Sequence, residues 1–179
     1  KEIAVEATSG AGLFYGIQTI MQMARENSTV ACGKITDEPA FAYRGLMLDV
    51  SRHFFDKGFI KKQIDAIAHF KMDRMAELNF NRLHLHLTDA AGWRIEIKKY
   101  PRLTNFAAWR KPGLWKDWWF GDRLYVNEGT EGAYGGYYTQ DDIREIVKYA
   151  QERYITIIPE IEMPAHSEEV LTAYPELSC

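Results

Sequence analysis

The sequence is short of cysteine, of excess positive charge and of long apolar runs, and each shortage closes a class of function. Two cysteines, Cys32 and Cys179, are too few for a disulfide framework and match no zinc-ligand spacing, so both are expected as unpaired thiols. Lys and Arg number 22 against 25 Asp and Glu, a net charge of −3 that supplies no general attraction to nucleic acid or to an anionic membrane surface. No apolar run approaches the roughly 20 residues that span a bilayer, and no leader with a basic start, apolar middle and small-residue cleavage site is present. Neither nucleic acid nor a membrane is therefore an expected partner. What remains is ample core material: 46% hydrophobic and 13% aromatic residues over 179 positions predict a globular α/β protein rather than a disordered chain.

Three apolar, strand-like runs end in charged or imidazole groups: Tyr43 to Phe55 with Asp49, Arg52 and His53, Asn81 to Trp93 with His84, His86 and Asp89, and Ile157 to His166 with Glu160 and Glu162. Helix-period stretches lie between them. After Asp56-Lys57-Gly58 the apolar residues Phe59, Ile60, Ile64, Ile67 and Ala68 recur at helical intervals and predict a helix over 58–78. Thr139, with Asp142 three residues on, is a good N-cap for a second helix through Ile143, Ile146, Val147 and Ala150. Strands are expected at 44–50, 81–88 and 155–161. This order predicts consecutive βα units with functional groups at the C-terminal strand ends, as in a (β/α)8 barrel. The connection 89–138 is far longer than an ordinary βα loop, and a lid or site wall is expected of it.

Upstream, Glu2 to Ala7 alternates as a short strand, and Ser9-Gly10 introduces Leu13, Tyr15, Ile17, Ile20 and Met21 at helical spacing. Residues 1–34 thus read as the last strand and helix of a small α/β domain. Residues 40–179 read as the N-terminal half of a barrel, about its first three βα units, since a complete one needs about 250 residues.

Those strand ends resemble glycoside hydrolase family 20, the β-N-acetylhexosaminidases. The resemblance rests on Tyr43-Arg44-Gly45 with Asp49-Val50-Ser51-Arg52-His53-Phe54, on His84 to Asp89 with Gly92-Trp93-Arg94, on Gly135 to Thr139, and on Pro159 to His166. Two departures stand out. Ala90 and Ala91 replace the usual second acid and Gln, and Glu162-Met163-Pro164-Ala165-His166 replaces Asp-x-Pro-Gly-His. The resemblance implies a substrate-assisted retaining exo-glycosidase, in which the substrate's own acetamido oxygen attacks the anomeric carbon. It implies further that Asp89 and His166 form a relay holding the general acid, and that Arg44 binds sugar hydroxyls. The Asp-Glu pair of the family, whose Glu is that acid, is expected beyond Cys179, so this chain alone is expected to be inactive and, with open sheet edges, to self-associate. No cofactor is implied. The substrate implied is a glycan ending in N-acetylglucosamine or N-acetylgalactosamine, in an extracytoplasmic setting.

Two other readings stay open. His84 and His86 share a strand face and can serve as a paired metal site in a metal-dependent barrel hydrolase, or be packed, hydrogen-bonded barrel residues. The isolated chain can instead be a non-catalytic sugar-binding fragment. Trp109, Trp115 and Trp118 of the long connection either stack on sugar faces or pin the loop. Glu162 is expected nearer the pocket, with Glu160 turned away into a structural hydrogen bond.

Overall fold

The computed structural model describes residues 2–27, 29–69 and 80–178, for 25–27 the backbone alone. Its first element is helix α1 (Gly10–Asn27), begun by Ser9, whose Oγ accepts from the Gly12 N–H at 3.1 Å. Residues 2–7, expected as a strand, have no regular secondary structure. An alternating segment becomes a strand only against a ladder partner, and none of the described strands pairs with it.

A three-stranded parallel sheet follows. Strand β1 (Gly45–Asp49) leads into α2 (Lys57–His69), started by Asp56, whose Oδ1 accepts from Phe59 N–H at 2.8 Å. The second half of the helix expected over 58–78 falls on residues 70–79, outside the described set. Strand β2 (Arg82–His86) comes next, then a hairpin of two short strands, β3 (Thr88–Asp89) and β4 (Gly92–Trp93). The long connection holds α3 (Arg102–Asn105), β5 (Trp109–Arg110), α4 (Trp115–Phe120) and β6 (Tyr134–Gly135), with β5 and β6 antiparallel. It is a folded unit and not an open lid. Helix α5 (Gln140–Gln151) opens with the expected capping box, Thr139 Oγ1 accepting from Asp142 N–H at 3.0 Å while Asp142 Oδ2 accepts from Thr139 N–H at 3.0 Å. Strand β7 (Thr156–Glu160) and the short helix α6 (Glu168–Ala173) complete the order.

The sheet runs β1-β2-β7, each pair parallel, the topology of successive βα units. One face is packed: Leu83, Leu85, Leu87 and Val50 meet Ile60, Ile64 and Ile67 of α2 and Ile146 and Ala150 of α5. Full burial of each such aliphatic side chain contributes about 1.5–3 kcal/mol, which holds both helices to the sheet. The other face carries Met47, His84 and Ile158 in one row and Asp49, His86 and Glu160 in the next, toward the C-terminal ends. Parallel register thus sets three ionisable residues side by side.

Candidate active site

The site grows from the exits of the three long strands. At the end of β1, Asp49 Oδ1 accepts from the N–H groups of Ser51 at 3.1 Å and Arg52 at 3.0 Å, a side-chain turn that folds the chain back. The Arg52 guanidinium then bridges two carboxylates, Nη1 to Asp49 Oδ2 at 2.6 Å and Nη2 to Asp89 Oδ2 at 2.7 Å.

Asp89 is presented by the β3–β4 hairpin, which Arg94 clamps from below. Arg94 is fully buried and gives its donors to backbone carbonyls of Ser51, Ala91, Ala108 and Gly136, joining the exit of β1, the hairpin and the long connection. Gly92 is required here because a Cβ would lie 2.4 Å from Arg94 Cζ. Held this way, Asp89 is only 1% exposed, and its Oδ2 collects three partners: Arg52, His86 Nε2 at 3.1 Å and His166 Nδ1 at 3.1 Å. The structure therefore brings Asp89 and His166 together from separate strand exits.

Behind them, His86 Nδ1 lies 2.9 Å from Glu160 Oε2, and His84 Nε2 reaches the same oxygen at 2.6 Å. Both ring nitrogens of His86 face carboxylate oxygens, which suits a doubly protonated imidazolium. Desolvation lowers the His86 pKa, but its hydrogen bonds to Glu160 and Asp89 outweigh burial and raise it overall. Glu160 shows the converse balance: burial pushes its carboxyl up, and the His86 hydrogen bond carries it below its usual range. His84 and His86 thus stand as hydrogen-bonded residues sharing Glu160. Among the described residues, His86, Glu160 and Glu162 do lie close enough to share a cation, yet His86 already has a carboxylate on each nitrogen.

Several expected site residues stand elsewhere. Arg44 precedes β1, at the end of the sheet opposite Asp89; it is 5% exposed, donates from Nη1 to the Phe41 carbonyl and lies against Tyr15. A guanidinium there closes the floor of the sheet. Arg52, whose side chain is 37% exposed, takes the place at the C-terminal face that Arg44 was expected to fill. Glu160 does not turn away from Glu162: the two carboxylates both approach His86, because residues two apart on an extended chain share a side. The Glu162 N–H is fixed by Thr88 Oγ1 at 2.8 Å.

Of the tryptophans, Trp118 is buried, donates from Nε1 to the Leu124 carbonyl at 2.9 Å and packs against Trp115 and Tyr125 with the Arg110 guanidinium over its ring, so it pins the loop. Trp109 is pinned likewise, its Nε1 donating to Thr104 O at 2.9 Å. Trp115 is half-buried and lies tilted against His53, ring centroids 5.1 Å apart, beside Arg52, which sets the long connection as a wall beside the site.

The sequence did not single out Arg52 or Glu160 as site residues, and it offered His86 only as a metal ligand or a packed barrel residue. The signal was present for Arg52, since it follows its strand while Arg44 precedes it.

Chemically the cluster links a buried carboxylate to an exposed imidazole. His166 commits Nδ1 to a buried carboxylate and is 54% exposed, leaving Nε2 as the atom that can exchange a proton with a group brought from outside.

The sequence matches the profile of Glycosyl hydrolase family 20, catalytic domain, over residues 41–179 and that of Glycosyl hydrolase family 20, domain 2, over residues 1–38. It is 46% identical to a β-hexosaminidase of Porphyromonas gingivalis, the match covering 100% of this chain and 21% of that protein. With a β-hexosaminidase of Vibrio furnissii it shares 41% identity over 98% of this chain and 27% of the relative. An exo β-N-acetylglucosaminidase from Vibrio harveyi, solved in complex with N-acetylglucosamine, superposes with a TM-score of 0.77 at 36% identity, over 96% of this chain and 25% of that one. The chain therefore spans between 21% and 27% of the length of these relatives.

Proposed function

Because this chain belongs to glycosyl hydrolase family 20, we propose that the protein containing it is an exo-acting β-N-acetylhexosaminidase that releases terminal N-acetylglucosamine or N-acetylgalactosamine from glycans. The observation that carries the reading is the contact between Asp89 Oδ2 and His166 Nδ1 at 3.1 Å, in a cluster that faces the C-terminal ends of parallel strands. In this reading the substrate's 2-acetamido oxygen attacks the anomeric carbon, so the protein has no need of a carboxylate nucleophile. It has to supply an acid for the departing oxygen and donors for the sugar. Asp89 orients the His166 ring, and His166 hands the acid its proton balance. Arg52, anchored between Asp49 and Asp89, is the guanidinium that meets sugar hydroxyls; its planar donors suit vicinal oxygens better than an ammonium would. Trp115, beside His53, lines the wall that the next sugar would pass.

The experiment is a comparison of chromogenic β-glycosides on the full-length protein. Turnover of the N-acetylglucosaminide should exceed that of the matching glucoside by several orders of magnitude, because the glucoside lacks the attacking group. Comparable rates on the two substrates would overturn substrate assistance.

A further inference from the structure

A second carboxylic acid lies close to the relay, and the proposed reaction gives it no part. Glu169 is the second residue of α6. Its neighbour Glu168 turns outward and pairs with Arg123 at 2.8 Å, whereas Glu169 turns inward and is 0% exposed. Neither of its carboxyl oxygens has a hydrogen-bond partner. The N–H groups of Glu169 and Val170 at the start of the helix favour its anion, but neither closes a hydrogen bond of ordinary geometry.

Three titratable groups act on it electrostatically. Arg94, from the segment after β4, has its donors turned to backbone carbonyls. Tyr125, from the long connection, gives its hydroxyl proton to the Ala90 carbonyl. The third is Asp89, and its Oδ1 is likewise buried and without a partner. Asp89 therefore has one oxygen, Oδ2, contacted by Arg52, His86 and His166, and one, Oδ1, that is buried without a partner.

Two buried carboxyl groups that repel each other cannot both be charged at modest cost. Asp89 Oδ2 is met by the Arg52 guanidinium and two imidazoles, whereas neither oxygen of Glu169 has a partner to stabilise an anion, so the proton falls to Glu169. Burial first, and the charge of Asp89 next, push the Glu169 carboxyl up to about 8.

We propose that Glu169 is a positioning residue for the Asp89–His166 relay, staying protonated so that no second buried negative charge opposes Asp89 in its contact with His166. Loss of that proton sets a second negative charge against Asp89, weakens the seating of α6 and draws the loop that carries His166 away from the relay. The inference rests on the hexosaminidase reading and deepens it.

The test is the pH dependence of kcat/KM on a chromogenic N-acetylglucosaminide for the full-length protein and its Glu169→Gln variant, which keeps the shape and cannot ionise. If Glu169 acts as proposed, the ratio of variant to wild type climbs with pH above neutrality, about tenfold per unit once the wild-type carboxyl has ionised. Dividing the two profiles cancels the groups that do not sense Glu169. A ratio that stays constant from acid to alkaline pH would overturn the proposal. Should the Glu169→Gln variant misfold, Glu169→Met offers similar volume, and the melting temperature of either variant relative to wild type should rise between pH 5 and 9. Wild-type protein that leaves the N-acetylglucosaminide untouched would overturn the hexosaminidase reading itself, whereas active wild type with parallel profiles would overturn only the role of Glu169.

Discussion

Arg52 Nη2 lies 2.7 Å from Asp89 Oδ2, tying the exit of β1 to the exit of β2, while Arg44 is spent on the Phe41 carbonyl at the opposite end of the sheet. The two arginines flank one strand and should answer mutation differently. Arg52→Ala removes a partner from two carboxylates at once. Arg52 is more than a third exposed, so solvent screens its ion pairs, and losing a hydrogen bond to a charged group costs roughly 1.5–3 kcal/mol, so kcat/KM should drop about tenfold or more. Arg52→Lys keeps the charge without the fork and should recover only part of the loss. Arg44→Ala should lower the melting temperature and leave KM near the wild-type value. A rise in KM for Arg44→Ala equal to that for Arg52→Ala would return the sugar-binding role to Arg44.

Asp89 and His166 should behave as a unit. Asp89→Asn keeps the shape but turns an acceptor-only group into one that can present N–H to the imidazole, and His166→Ala removes the ring. Each should lower kcat by about 10² to 10⁴-fold with a smaller change in KM, because both act through proton transfer in the transition state. The double variant should be little worse than the more damaged single one. Additive losses in single and double variants would mean that the 3.1 Å contact is not a working link.

How much of this was legible in the sequence depended on the range of the interaction involved. The capping box at Thr139 was readable because a cap needs only a neighbour three residues on, and the three parallel strands because apolar runs between helix-period segments mark successive βα units. Asp89 and His166 were readable from their places at strand ends. The tryptophans were not: whether Trp118 offers a face to sugar or buries it depends on the Leu124 carbonyl and the Tyr125 ring, which only the folded connection brings to it. Residues 2–7 failed for the opposite reason, since their alternation is local while strand formation requires a partner. Glu160 was misjudged through the pleat, and the parallel register that sets it beside His86 is a tertiary fact.

The cap on α5 gives a stability prediction with a pH signature. The Lys57 ammonium, at 2.7 Å, and then the Thr139 hydroxyl hold the Asp142 carboxyl down to about 2, from an ordinary value of 3.8. A depressed acid adds stability that is present above its unfolded pKa and is lost as pH falls through the folded one. Thr139→Ala should cost about 1 kcal/mol near neutrality, the usual worth of an N-cap. That cost should shrink between about pH 4 and pH 2, as protonation of Asp142 dismantles the box in wild type as well. Melting curves across that range are the check, and a cost independent of pH would separate the hydroxyl from the carboxylate.

Gly92 makes the sharpest structural prediction, because the clamp beneath Asp89 leaves no room for a side chain. A methyl group there would stand 2.4 Å from Arg94 Cζ and Nη2, at a backbone φ of +156° that side chains rarely adopt. The guanidinium cannot step aside easily, since its donors hold four backbone carbonyls and it is fully buried. Gly92→Ala should therefore cost roughly 1–3 kcal/mol or more from overpacking and backbone strain together. The same shift of the hairpin moves Asp89 relative to His166, so activity should fall further than the lost stability explains at temperatures where the variant is folded. Gly33→Ala is the matched control, because a Cβ at Gly33 meets nothing within 4 Å and should leave both stability and turnover unchanged. A Gly92→Ala protein that melts and turns over like the Gly33→Ala control would show that Arg94 yields readily and that the clamp does not fix Asp89.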